Sequence, residues 1–275
     1  MRSRRVVFVH AHPDDEALQT GGTMARYADE GAHVCLITCT NGEVGEIADV
    51  PELGTVEEIQ PRLGEIRRAE LVEACRRLGD VDLRMLGFHD SGMDGTPEND
   101  VAHAFVQQDF DAVVAAIAGV LEEVRPQVLV TYNEYGGYGH PDHIRAHRAG
   151  IVAAQRCGVD KIYYTAFPKS LIRMAREMAR EIGYGPDDFG TEEDVDRIGT
   201  DDDAITTVVD ASGFVERKFA ALEAHRTQLG TTGAFFMIPS DLRRMAFGPE
   251  HYVLAHPSLD MNGRKEVDLF EGLGV

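Results

Sequence analysis

The chain has 275 residues, 43% hydrophobic and 27% charged, with a mean hydropathy of −0.23. That composition belongs to a globular protein long enough for a substantial core, and it excludes disordered and fibrous classes. Asp plus Glu number 47 against 27 Lys plus Arg, a formal charge of −20; so negative a surface repels phosphate backbones and anionic headgroups, so neither nucleic acid nor a membrane is an expected partner.

The Arg2, Arg4, Arg5 start leads into an apolar run, Val6 to Val9, that is too short for a signal-peptide core, and no later run approaches a membrane span. Cys35, Cys39, Cys75 and Cys157 form no C-x-x-C pair and fit buried thiols in a reducing compartment. The expected location is the cytoplasm. Val6–His10 reads as a β-branched strand, followed by a helix from about Ala17 to Glu30 that stops at Gly31. Val34–Thr40 is a second strand, Pro61–Leu78 a helix ended by Gly79, and Leu83–Leu86 a third strand. Asp111–Val124 is helical, Val128–Thr131 a strand, Pro141 to about Cys157 a helix ended by Gly158, and Ile162–Phe167 a strand. This alternation predicts an α/β protein built of βαβ units, with a mainly parallel sheet flanked by helices. Between Asp187 and Asp203 nine acids face Arg197 alone; without calcium-loop spacing this reads as a solvated loop, with a flap over the site as its functional alternative. Ile205–Val209, a helical Phe214–Arg226 and a strand His251–Leu254 suggest a smaller C-terminal α+β layer. The expected organisation is a single domain over 1–275, with a Rossmann-like core at 1–170 and that layer, covering the site, at 171–275.

Chemistry concentrates at two strand ends. His10-Ala-His12-Pro-Asp14-Asp15-Glu16 follows the first strand, where ligands bind in open α/β sheets. Across the turn stiffened by Pro13, His12 and Asp15 can converge on one ion, and a divalent cation offsets the repulsion among three clustered acids. As ordinary helix N-terminal acids, Asp14–Glu16 would be explained, but the two histidines would not. Tyr138-Gly-His140-Pro-Asp142-His143 follows the fourth strand; Pro141 suits the first helical position and puts His143 in the first turn, where the helix N-terminus keeps an imidazole neutral. Two imidazoles and one carboxylate, His12, Asp15 and His143, leave a coordination position open for water, as in catalytic zinc sites, though iron(II) accepts the same set. Such an ion brings the pKa of its water from about 15.7 towards ~7. Asp14 is the candidate general base, Tyr138 or His140 the candidate oxyanion partner, and Asp142 the candidate partner that orients a histidine. His147, one turn after His143, could support a ligand from behind, but on its own reads as a structural or surface residue.

His12-Pro-Asp-Asp-Glu16 together with His140-Pro-Asp-His143 resembles the LmbE-like (PIG-L) N-deacetylases. Asp90-Ser-Gly-Met93, Asn133 to His143, Ala220 to Gln228, Glu250 to Leu254 and Glu266 to Gly274 extend the likeness over nearly the whole chain. The resemblance implies metal ligands His12, Asp15 and His143, base Asp14, Tyr138 polarising the carbonyl and His140 assisting the oxyanion or leaving amine. It also implies Arg62 and Asp90 as contacts to sugar hydroxyls. The implied substrate is a small amino sugar of the N-acetylglucosaminyl-inositol type. Gln19 favours that deacetylase branch, whereas Glu65 to Glu70 looks more like the mycothiol-conjugate amidases, which stay open beside deacetylases of amino-sugar antibiotic precursors. A non-catalytic binding module is the contrasting class. Thr20-Gly-Gly-Thr23 and Gly136 to Gly139 lack dinucleotide spacing, and no phosphate loop is present; a purely structural metal site would fill all four positions with protein ligands. A homo-oligomer is left open.

Overall fold

Residues 3–181, 185, 191–230, 238–257 and 264–275 are described by a computed structural model. Its strands are β1 (Arg5–His10), β2 (His33–Thr40), β3 (Asp82–Phe88), β4 (Val128–Thr131), β5 (Lys161–Ala166), β6 (Thr207–Asp210) and β7 (Pro249–His256). The helices are α1 (Gly21–Asp29), α2 (Val56–Ile59), α3 (Leu63–Gly79), α4 (Phe110–Val124), α5 (Pro141–Cys157), α6 (Lys169–Glu181), α7 (Glu192–Ile198), α8 (Val215–Leu222), α9 (Arg226–Leu229) and α10 (Ser240–Phe247). The seven strands form one sheet in the order β3-β2-β1-β4-β5-β7-β6. Its first five members run parallel, and β7 pairs antiparallel with both β5 and β6.

β1 is buried on both faces because alternate residues meet different helix layers. Val6 and Phe8 pack with Met24 of α1, Leu71 of α3 and Phe219 of α8, while Val7 and Val9 pack with Val113 of α4 and Ala149 of α5. The chain leaves β1 towards β2 on one side and returns to β4 on the other. The β1–β4 boundary is therefore the switch point of strand order, where a crevice opens beyond the carboxyl ends. Among the described residues no helix is long and apolar enough to cross a membrane.

Several elements differ from expectation. The first helix starts as a π-helical turn, Glu16–Thr20, before α1. Pro61 lies in a 3-10 turn, and α3 begins at Leu63. The acidic stretch is helical in its described middle rather than a loop. Thr191 and Asp194 close a reciprocal capping box on α7, and Glu192 pairs with Arg173 and Arg176 of α6, so these acids complement a helix N-terminus and neighbouring cations. Asp187 and Asp188 lie outside the described residues. The C-terminal strands β7 and β6 extend the sheet at one edge as its antiparallel members. The helix expected over Phe214–Arg226 is broken between α8 and α9, where His225 takes a non-helical backbone and turns inward. On β7, Glu250 accepts the N–H groups of Gly22 and Thr23, each at 2.8 Å, and the Lys218 ammonium at 2.7 Å, which holds the start of α1.

Candidate functional site

The loop after β1 and the loop leading into α5 meet at the switch point. His140 caps α5, its Nδ1 accepting the Asp142 N–H at 3.2 Å, with Pro141 in the first turn. That geometry puts Asp142 and His143 at the helix start, both fully buried.

Three ligand-type atoms converge. His12 Nδ1 lies 3.1 Å from His143 Nε2, and Asp15 Oδ2 lies 3.6 Å and 3.4 Å from them respectively. The other nitrogen of each ring is committed elsewhere. His143 Nδ1 donates to the Gly136 carbonyl at 2.9 Å, and His12 Nε2 donates to Asp142 Oδ2 at 3.2 Å. His12 Nδ1, His143 Nε2 and Asp15 Oδ2 therefore face one point, where the protonated His12 ring donates to His143 and a cation would take that proton's place. A tetrahedral ion with bonds of ~2.0–2.1 Å spaces its ligands about 3.4 Å apart, which matches this triangle. The donor set fits a divalent cation. The Asp142–His12 and Gly136–His143 bonds are of the kind that fix ring orientation at metal centres. Among the described residues two other groupings bring their ligand atoms within 4.8 Å of one another, His12 with His140 and His143, and His12 with Asp90, His140 and Asp142; both draw on His140, whose Nδ1 already accepts the Asp142 N–H.

Electrostatics follows this layout. Burial lowers His143 to about 4, and burial with repulsion from His12 lowers His140 to about 3, so both are neutral at physiological pH. Burial opposes charge on His12 too, but Asp90 and Asp142 outweigh it and raise this ring well above its ordinary value. Asp15, despite burial, is held well below the carboxylate range by His143 and His12. Burial pushes Asp14 up to about 6, partly countered by Arg67. Asp14 is also backbone-strained, with φ of +127° in a non-glycine residue.

The predicted residues His12, Asp14, Asp15, Tyr138, His140, Asp142, His143 and Asp90 gather here. Asp90 Oδ1 lies 3.5 Å from His12 Nε2, and the Tyr138 ring is 4.8 Å from that of His143 with 44% of its surface exposed. Arg62 does not join them through its hydrogen bond: it is exposed and donates to the Leu53 carbonyl. The guanidinium that reaches the site is that of Arg67, 3% exposed, donating to the Pro13 and Gly42 carbonyls at 2.6 and 2.8 Å and to Asp14 Oδ2 at 3.2 Å. Gly42 makes this seat: its φ is +71°, and a Cβ there would lie 2.4 Å from Arg67 Nη1. Also unforeseen is Tyr132, just past β4. Its hydroxyl accepts the Ala11 N–H at 2.6 Å and donates to Asp15 Oδ2 at 2.7 Å, while its ring stacks on His143 at 4.2 Å. Of the alternatives for His147 the structure has the buried one: it bonds the Tyr132 carbonyl at 2.7 Å.

The profile of the PIG-L family, described as GlcNAc-PI de-N-acetylase, matches residues 7–154. The chain is 45% identical to the 1D-myo-inositol 2-acetamido-2-deoxy-alpha-D-glucopyranoside deacetylase of Acidothermus cellulolyticus, over 99% of this chain and 96% of that one. Among solved structures, N,N'-diacetylchitobiose deacetylase from Pyrococcus horikoshii is similar with a TM-score of 0.57 and 19% identity, covering 92% of this chain and 84% of that one. GalB, the 4-carboxy-2-hydroxymuconate hydratase from Pseudomonas putida, reaches 0.58 with 18% identity, covering 94% and 98%. These two likenesses speak for the fold; a hydratase on the same scaffold means the reaction must be argued from the site.

Proposed function

The chain belongs to the PIG-L family, and from that premise we propose that it hydrolyses the N-acetyl amide of an N-acetylglucosaminyl-inositol, using a divalent cation, zinc before iron(II), held by His12, Asp15 and His143. The observation that carries the reading is the triangle of ligand-type atoms at 3.1, 3.4 and 3.6 Å with Asp14 beside it. His12, Asp15 and His143 would hold the cation, which would supply Lewis acidity for a water and the acyl oxygen.

The chain's own groups account for the proton traffic. Asp14, raised to about 6, is largely ionised at neutral pH yet basic enough to take the proton of the attacking water. His140 is neutral, and its Nδ1 is used as an acceptor, so the ring proton sits on Nε2. A neutral N–H donor suits the oxyanion better than it suits protonation of an amine. Tyr138, whose phenol is raised by burial and so stays protonated, is the second oxyanion donor. The proton gained by Asp14 then passes to the nitrogen as the C–N bond breaks, giving the amine and acetate. Asp142 holds the His12 ring, Asp90 contributes an acceptor for sugar hydroxyls, and the buried Arg67 braces Asp14 and the Pro13 backbone.

The test is amine release from N-acetylglucosaminyl-inositol with chelator and metal-readdition arms, beside a mycothiol conjugate. Faster turnover of the acetylated glucosaminide, lost with chelation and restored by metal, supports the reading. Preference for the conjugate transfers it to the amidase branch.

A further inference from the structure

Among the described residues three non-glycines have positive φ: Asp80 and Arg125 sit at +56° and +51° as left-handed helix caps, whereas Asp14 at +127° lies outside that region. Such a backbone persists only where neighbours over-determine it. Here the Asp14 carbonyl accepts the Ala17 and Leu18 N–H groups, both at 3.1 Å, and the Asp14 N–H donates to Glu16 Oε2 at 3.0 Å. The other Glu16 oxygen, Oε1, takes a 2.7 Å bond from His225 Nε2, and both side chains are wholly buried. Glu16 is therefore not a solvent-facing helix N-terminal acid. His225 is itself held by the break between α8 and α9, and Thr227 beyond it anchors through its N–H and hydroxyl to Glu70 at 2.9 and 2.6 Å.

We propose that His225 is a positioning residue for Asp14, acting through Glu16, whose two carboxylate oxygens bridge the imidazole and the strained Asp14 peptide. Without the imidazole, Glu16 has no fixed orientation, Asp14 loses its N–H acceptor, and its φ can relax and swing the carboxylate from the attacking water. The inference rests on Asp14 being the reaction's base.

The experiment compares kcat, KM, metal content and melting temperature for His225→Met, His225→Gln, Glu16→Met and Asp14→Asn. Glu16→Met breaks the same bridge without stranding a buried carboxylate, so it remains informative if His225→Met fails to fold. Misplacement of a reacting group by about 1 Å costs on the order of 10²-fold, so the folded Met variants should lose kcat by about that factor with KM and metal content unchanged. His225→Gln, which restores an N–H at the same position, should recover most of it. Folded Met variants with wild-type kcat, losses that track metal content, or a Gln variant no better than Met would overturn the proposal. If Asp14→Asn itself keeps wild-type kcat, the base assignment fails instead.

Discussion

Replacing Tyr132 by Phe removes one oxygen from beneath the site and little else. The ring that stacks on His143 at 4.2 Å is retained, so the metal-side packing survives. What disappears is the hydroxyl between the Ala11 N–H and Asp15 Oδ2. Tyr132 is raised well above its ordinary value, by burial and by Asp15, so it acts as a donor to Asp15 throughout the working pH range. A hydrogen bond to a charged acceptor is worth about 1.5–3 kcal/mol, and a buried N–H left without a partner costs about 1–3 kcal/mol. The second term lowers global stability. The first leaves Asp15 held by the His12 N–H at 2.9 Å without its second Oδ2 donor, and loss of such an orienting bond weakens metal affinity by roughly 10–100-fold, or about 1.4–2.7 kcal/mol. Competition against a fluorescent chelator measures the affinity, and denaturant unfolding of the metal-free protein measures the stability. A folded Tyr132→Phe protein that binds zinc as tightly as wild type would refute the assignment of this hydroxyl to Asp15 orientation.

Asp14→Ala should keep its metal but lose turnover by at least ~10²-fold, in the range of a lost general base, whereas His12→Ala should lose both, as metal analysis and an amine-release assay will read. Between two inactive variants, Asp14→Gly should unfold about 1–2 kcal/mol harder than Asp14→Ala, because only glycine adopts φ of +127° without strain; equal stabilities would count against that strain. Arg67 lowers the Asp14 value, so Arg67→Met should move the acidic limb of kcat/KM upward by about one pH unit or more; an unmoved limb would remove Asp14 from it. His12 holds a proton tightly in its carboxylate surroundings, so cation binding must displace it and apparent metal affinity should rise with pH; pH-independent chelator competition would contradict this.

Much of the scaffold was legible because its signals are local. Val128–Thr131 is a short β-branched run, and Pro141 to Cys157 carries proline at its start and a left-handed glycine, Gly158, at its end, so both elements fall where expected. The two histidine motifs were legible for the same reason, each lying at a strand end. What escaped depends on distant partners. α7 looks like a solvated acidic run until Arg173 and Arg176 face it from α6. The stretch before and within α3 holds Arg62, Arg67 and Arg68, and only the slot made by Gly42 decides which one enters the site. Tyr132 reads as an ordinary core aromatic at the end of a strand; its hydroxyl gains meaning only from Ala11 and Asp15, over a hundred positions away. Gly42 followed by Gly45 after β2 was the one local hint that something bulky lies close.

Chain order also carries a consequence for maturation. The residues that grip the first motif are made late: His225 reaches back 209 positions to Glu16, and Glu250 reaches back 228 to Gly22. Although nascent domains tend to fold from the N-terminal side as synthesis proceeds, the loop bearing His12 and Asp15 emerges from the ribosome long before the groups that brace it. That loop should therefore settle only once β7 has emerged and joined the sheet, and a chain truncated ahead of residue 214, which lacks β7, should hold a divalent cation far more weakly than the full sequence.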